Sequence, residues 1–114
     1  MKLDTVIFYT NSINHITSFY KDSIGLQLEA QQGEMYVSFI FENGVSLGIK
    51  KTNDPREIVG SQTIIVEVNN IKDLSSQLKE KNIPFYKELQ KASWGTTFSI
   101  LDPDKNKVEF VERP

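Results

Sequence analysis

Thr5-Val6-Ile7-Phe8-Tyr9-Thr10-Asn11-Ser12-Ile13 returns in outline later in the chain as Thr63-Ile64-Ile65-Val66-Glu67-Val68-Asn69-Asn70-Ile71. The shared register continues: Ile16 falls over Leu74 and Tyr20 over Leu78. Each stretch begins with β-branched and aromatic residues free of breakers, which reads as a strand, followed by polar residues able to cap a helix. Ile13, Ile16, Phe19 or Tyr20, and Ile24 then recur at helical spacing, with Gly25 where a left-handed terminal residue belongs. Asn70 and Asp73 open the second helix, Ile71, Leu74 and Leu78 stripe it, and Asn82 and Pro84 end it. A repeat of strand and helix at one constant offset predicts two halves with the same topology.

Outward from these stretches, each half carries three more strand candidates. The first half offers Leu26 to Gln31, Met35 to Glu42 and Val45 to Lys50, punctuated by Gln32-Gly33 and Asn43-Gly44. Asn-Gly is a strong hairpin signal. The second half offers Phe85 to Gln90, Thr96 to Leu101 and Lys107 to Glu112, with a turn at Asp102-Pro103-Asp104. The polar stretch 51–60 reads as a connector. The expected fold is α+β: two tandem βαβββ modules, 1–50 and 61–114, in one domain of 114 residues, forming curved mixed sheets around a cleft.

Composition limits what such a chain does. Thirteen Lys plus Arg against 15 Asp plus Glu give a net charge of −2, which argues against binding nucleic acid by phosphate neutralisation. There is no Cys, so disulfides and thiol nucleophiles are excluded. The one His, His15, falls in the first turn of a helix with no partner in view for acid–base chemistry. No apolar run approaches membrane-spanning length, and Met1 to Tyr9 does not read as a signal peptide, so a cytoplasmic protein without membrane contact is expected. The run Lys79-Glu80-Lys81 reads as a solvated helix end.

One face of each sheet packs on its helix, and the other is left for a concavity, where small-molecule sites gather. Side chains alternate along a strand. Val6 and Phe8 suit the helix side, leaving Thr5, Ile7 and Tyr9 for the open side. By the repeat, Thr63, Ile65 and Glu67 take the same places in the second half. For Phe39 and Phe41 against Tyr36 and Ser38, alternation separates the two pairs without saying which faces the cleft.

The duplication resembles the glyoxalase/bleomycin-resistance/extradiol-dioxygenase family, the vicinal oxygen chelate fold, specifically its bleomycin-resistance-like branch. Asp102-Pro103-Asp104-Lys105-Asn106-Lys107-Val108-Glu109-Phe110 is similar to the family's carboxy-terminal motif, with Lys105 in the usual glycine place. Phe19-Tyr20 followed by Ile24-Gly25-Leu26, and Trp94-Gly95 before the seventh strand, also resemble family segments. Metal-dependent members draw ligands from the first and last strands of each module. Carried over, those places fall on Thr5, on Ser46 or Gly48, on Thr63, and on Glu109. Hydroxyls are poor ligands for Zn²⁺ or Ni²⁺, and one carboxylate does not hold such an ion tightly, so no metal site and no cofactor are expected.

The resemblance then implies a metal-free homodimer that sequesters a small molecule, such as a bleomycin-like antibiotic, in an aromatic-lined groove. Trp94, Tyr9, Phe39, Phe41 and Tyr36 are candidate walls, with Glu67 and Glu109 as acids for a cationic ligand. The ligand-binding set is therefore Thr5, Ile7, Tyr9, Phe39, Thr63, Ile65, Glu67, Trp94 and Glu109, with no catalytic residue. Two alternatives stay open. One is a divergent glyoxalase-like lyase or isomerase, or a dioxygenase-related enzyme, with Glu109 or Glu67 moving a proton. The other is a ligand-free regulatory or structural module.

Overall fold

A computed structural model describes residues 1–114. The elements are β1 (Thr5–Thr10), α1 (Ile13–Ser18), β2 (Gln27–Gln32), β3 (Tyr36–Ile40), β4 (Ser46–Lys51), β5 (Thr63–Glu67), α2 (Ile71–Glu80), β6 (Phe85–Ala92), β7 (Gly95–Leu101) and β8 (Lys107–Glu112). They form two compact units, Met1–Gly60 and Ser61–Pro114, each a βαβββ module. The sheets have strand orders β1-β4-β3-β2 and β5-β8-β7-β6. In each, the first strand lies parallel to the last, and the other pairings are antiparallel. Mixed pairing of this kind, with a helix after the first strand, is the fold the repeat predicts.

In the first unit Phe8, Ile13, Ile16, Tyr20, Val37, Phe39, Leu47 and Ile49 are buried. Tyr20, not Phe19, is the fully buried member of the helical stripe, and its ring lies 6.1 Å from that of Phe39. The chain after α1 widens into a π-helical segment, Phe19–Ile24. It closes with the Gly25 N–H donating to the Tyr20 carbonyl at 3.1 Å, and Gly25 has φ +86°, a conformation a side chain would strain. In the second unit Ile71 and Leu78 of α2 are buried, as are Phe98, Ile100, Val108 and Phe110. Phe85, Phe98 and Phe110 stack in series at 5.1 and 5.0 Å.

Three local features differ from the expectation. Ser12 and Asn70 occupy the N-cap positions, but neither side chain bonds a helix N–H. Instead the Glu112 carboxylate, from β8, accepts the Ile71 N–H at 3.0 Å, a partner distant in sequence. Residues 51–60 fold back onto the first unit: the Thr52 N–H donates to the Thr10 carbonyl at 2.9 Å, and Val59 bridges to Tyr9. Phe39, expected to line the ligand site, belongs to the core. Its register partners are Leu47 and Leu28, on the helix side of the sheet, and it is fully buried.

The carboxy-terminal motif builds a turn. Asp102 is buried and its Oδ1 accepts the N–H groups of Asp104 and Asn106 at 2.9 and 2.8 Å, while Oδ2 accepts Asn106 Nδ2 at 2.9 Å. Asn106 Oδ1 in turn accepts the Gln62 N–H at 3.1 Å. Lys105 takes φ +68° there, which accounts for a glycine-favouring place. No helix is long and apolar enough to cross a membrane.

Candidate functional site

On β1 the alternation falls as the sequence implies: Phe8 is buried and Ile7 is 36% exposed. Parallel register sets Thr5, Ile7 and Tyr9 beside Ser46, Gly48 and Lys50 of β4. Ile40, Ser38 and Tyr36 of β3 follow in the next row. The pair Tyr36 and Ser38 therefore lines the open face, and the Phe39 side faces the helix. Phe41 lies just beyond β3, half-buried, where its N–H donates to the Val45 carbonyl at 2.9 Å.

Gly48 shapes this face. A Cβ built there would overlap the Tyr36 hydroxyl and come within 2.7 Å of Ile7 Cδ1. The missing side chain is thus replaced by the phenol of Tyr36 and the tip of Ile7. Beside them, Glu29 of β2 reaches over the sheet, and its Oε1 accepts hydrogen bonds from Ser38 Oγ at 2.9 Å and Ser46 Oγ at 2.8 Å. At the other end Lys50 is held by Glu57 at 2.7 Å and Asn53 at 3.1 Å, and sits 5.9 Å from the Tyr9 ring centre. The bond from Lys50 holds the Glu57 carboxyl below its usual 4.5, with the Asn53 N–H adding to the effect.

The second unit repeats the register with different side chains. Thr63, Ile65 and Glu67 stand beside Lys107, Glu109 and Val111 of β8, with Ser99 of β7 on the far side of Glu109. Ile65 is 58% exposed, Ser99 is buried and Glu109 is half-buried between them. At the end of this face Arg113 lies 3.9 Å from Glu67 and 5.9 Å from the Trp94 ring centre, and donates to the Trp94 carbonyl at 3.4 Å. Trp94 sits in the turn between β6 and β7, 45% exposed. A surface depression of about 220 Å³ touches this face at Thr63 and Lys107, bounded by Tyr86 and Lys105.

The registers remove the ambiguity over the metal-ligand positions. Ile65 pairs with Glu109 and Ile7 with Gly48, so Gly48 is the counterpart of Glu109. The first unit then offers one hydroxyl, Thr5, and no side chain at Gly48, and the second one hydroxyl, Thr63, and one carboxylate, Glu109. Neither pair fits a divalent transition metal. No group of three or more His, Cys, Asp or Glu side chains is placed to hold one either. His15 is exposed on α1.

Thr5, Ile7 and Tyr9 therefore share the open face of the first sheet, and Thr63, Ile65, Glu67 and Glu109 that of the second, with Trp94 joined to Glu67 through Arg113. Glu29 and Arg113 were not legible as site residues in the same way. Arg113 continues the alternation of Lys107, Glu109 and Val111, a signal that was present. Glu29 follows Leu28, which pairs with Phe39, so its face is assigned only once the Phe39 side is known to be the helix side.

No curated protein sequence matches the chain. Among solved structures, TnmS3, an antibiotic binding protein from Streptomyces sp. CB03234, superposes with a TM-score of 0.86 at 15% identity, over 100% of this chain and 97% of its own. A lactoylglutathione lyase from Agrobacterium tumefaciens gives 0.83 at 17% identity, over 97% and 92%. A glyoxalase/bleomycin resistance protein/dioxygenase from Alicyclobacillus acidocaldarius gives 0.75 at 20% identity, over 98% and 91%. At such identities the likeness is one of fold. The model of the glyoxalase-like domain matches residues 3–113, and with nearly its whole length inside that match the chain belongs to the glyoxalase-like domain family.

Proposed function

We propose that this protein binds a small organic molecule on its open sheet faces, without a divalent metal, and acts by sequestration as a homodimer. The observation that carries the reading is the state of the ligand positions. Thr5 and Thr63 offer only neutral hydroxyls, and Gly48 offers nothing, its place taken by Tyr36 and Ile7. A face so furnished supplies apolar contact and hydrogen bonds but no Lewis acid. The exposed Ile7 on the first sheet, and Ile65 and Trp94 on the second, are apolar surface for a flat ligand, each on its own unit. The antibiotic-binding neighbour supports this choice among the activities found on the fold. A bleomycin-like antibiotic is the specific ligand class we propose.

A second reading rests on Glu109, the one ligand-type residue retained. Its half-buried place beside Ser99 and Ile65 supports a reading in which it moves a proton in a divergent lyase or isomerase. The two readings separate in one experiment: two-dimensional amide NMR of the chain titrated with bleomycin and with planar aromatic compounds of differing charge. Sequestration predicts saturable shifts at Ile7, Tyr36 or Ile65 with the compound recovered unchanged. Chemical conversion of the compound favours the enzyme, and shifts at none of these residues with any compound overturn both.

A further inference from the structure

We infer that Glu29 is the cation-accepting group of the first sheet's open face, fitted to an ammonium or amidinium carried on a flat apolar body. This rests on the reading that the open faces bind organic molecules, and narrows it to a charge and a place.

Glu29 lies where β2 shifts register against β3. Leu28 pairs with Phe39 and Ala30 with Ser38, so one extra residue is accommodated between them. Leu28 shares the helix side with Phe39, so alternation turns Glu29 to the open face. Its carboxylate lies over two hydroxyls, Ser38 and Ser46, which are only 3% and 7% exposed. Both donate to the same oxygen, Oε1. A carboxylate only accepts hydrogen bonds, so the group is oriented by two fixed donors with Oε2 turned to an outside donor. Glu29 itself is exposed.

Charge on this face is unbalanced. Glu29 is in none of the ion pairs Lys50–Glu57, Arg56–Asp54, Lys79–Glu88 and Arg113–Glu67. Lys50, the basic side chain of the face, is already matched by Glu57 and Asn53. A second acid stands at the same edge: Asp4 accepts the Thr5 hydroxyl at 2.6 Å, and Thr5 is the register neighbour of Ser46. Glu29 is thus left for an incoming cation, with Asp4 beyond Thr5 along the same edge. Next to Ser38 in register is Gly48, under the Tyr36 ring and the Ile7 tip. An apolar plate thus borders the anchored carboxylate, which is the arrangement an arylamidinium or benzylic ammonium matches.

A structural role for Glu29, satisfying two buried hydroxyls, is separable from this one. Glu29→Gln keeps a carbonyl oxygen for both serines and removes the charge. The test is an amide NMR titration with benzamidine, with benzamide as its neutral counterpart and benzoate as an anion. The expected result is saturable benzamidine shifts at Glu29, Ser38, Ser46 and Gly48, with benzamide at least tenfold weaker. E29Q should keep its thermal midpoint and lose benzamidine affinity by about tenfold or more, the order of one charge-assisted hydrogen bond. The benzamidine–benzamide comparison uses the unaltered chain, so it decides the matter even if E29Q unfolds. Benzamidine binding no better than benzamide, or equally well to E29Q, overturns the inference while leaving the binding reading intact. Absence of shifts from all three compounds overturns both.

Discussion

At Gly48 a single missing side chain decides the chemistry of a whole face. Its counterpart in the second unit is Glu109, a carboxylate; here the space is filled by the Tyr36 phenol and the Ile7 methyl. Because the blocking atoms are the ends of side chains, Gly48→Ala should be tolerated at a cost of about 1 kcal/mol, the low end for overpacking. In a Tyr36→Ala background the cost should fall by more than half, because residues in contact are coupled. Urea unfolding of the four variants measures this, and equal costs in both backgrounds would mean that Tyr36 does not fill the space. Thr5, Ile7 and Tyr9 could be read from alternation alone, since one rule, that the more apolar set faces the helix, places them. The same rule was silent on Phe39, because Tyr36, Phe39 and Phe41 are all aromatic. The burial of Tyr20 against Phe39 is what assigns the face.

Elements were legible where local chemistry fixes them. The span Lys107–Glu112 stands in the structure as the sequence places it, bounded by the Asp102–Asn106 turn. Elements closed by distant partners were not. The first turn of α2 is served by Glu112, and residues 51–60 are tied back by Lys50 and Glu57, contacts that no local window contains. This tie titrates. The folded pKa of Glu57 lies below its usual 4.5, so its stabilising contribution is present above that value and is lost as pH falls through the lower, folded one. Amide hydrogen exchange at Asn53 and Glu57 should therefore accelerate, relative to the rest of the first sheet, only in acid. Glu57→Gln should exchange faster throughout and lose the acid step. An unchanged acid step in that variant would show that another group is responsible.

Across the whole chain, the first strand and helix of the two halves overlay at one offset, and the two sheets share strand order and parallel pairing, although Ser46 answers to Lys107 at a longer offset. Duplication made the fold readable from a handful of hydrophobic positions, because each half had to repeat the same burial problem. It did not make the function equally readable. The open faces have diverged, one carrying Glu29, the two serines and Tyr36 over Gly48, the other Glu109, Ile65 and the Trp94–Arg113–Glu67 group. Their shared property is a shortage of metal donors. Isothermal titration of EDTA-treated protein with Zn²⁺ tests it most directly. No saturable heat in the micromolar range is predicted, whereas stoichiometric binding abolished by Glu109→Ala would contradict the proposal that these faces hold organic molecules without a metal.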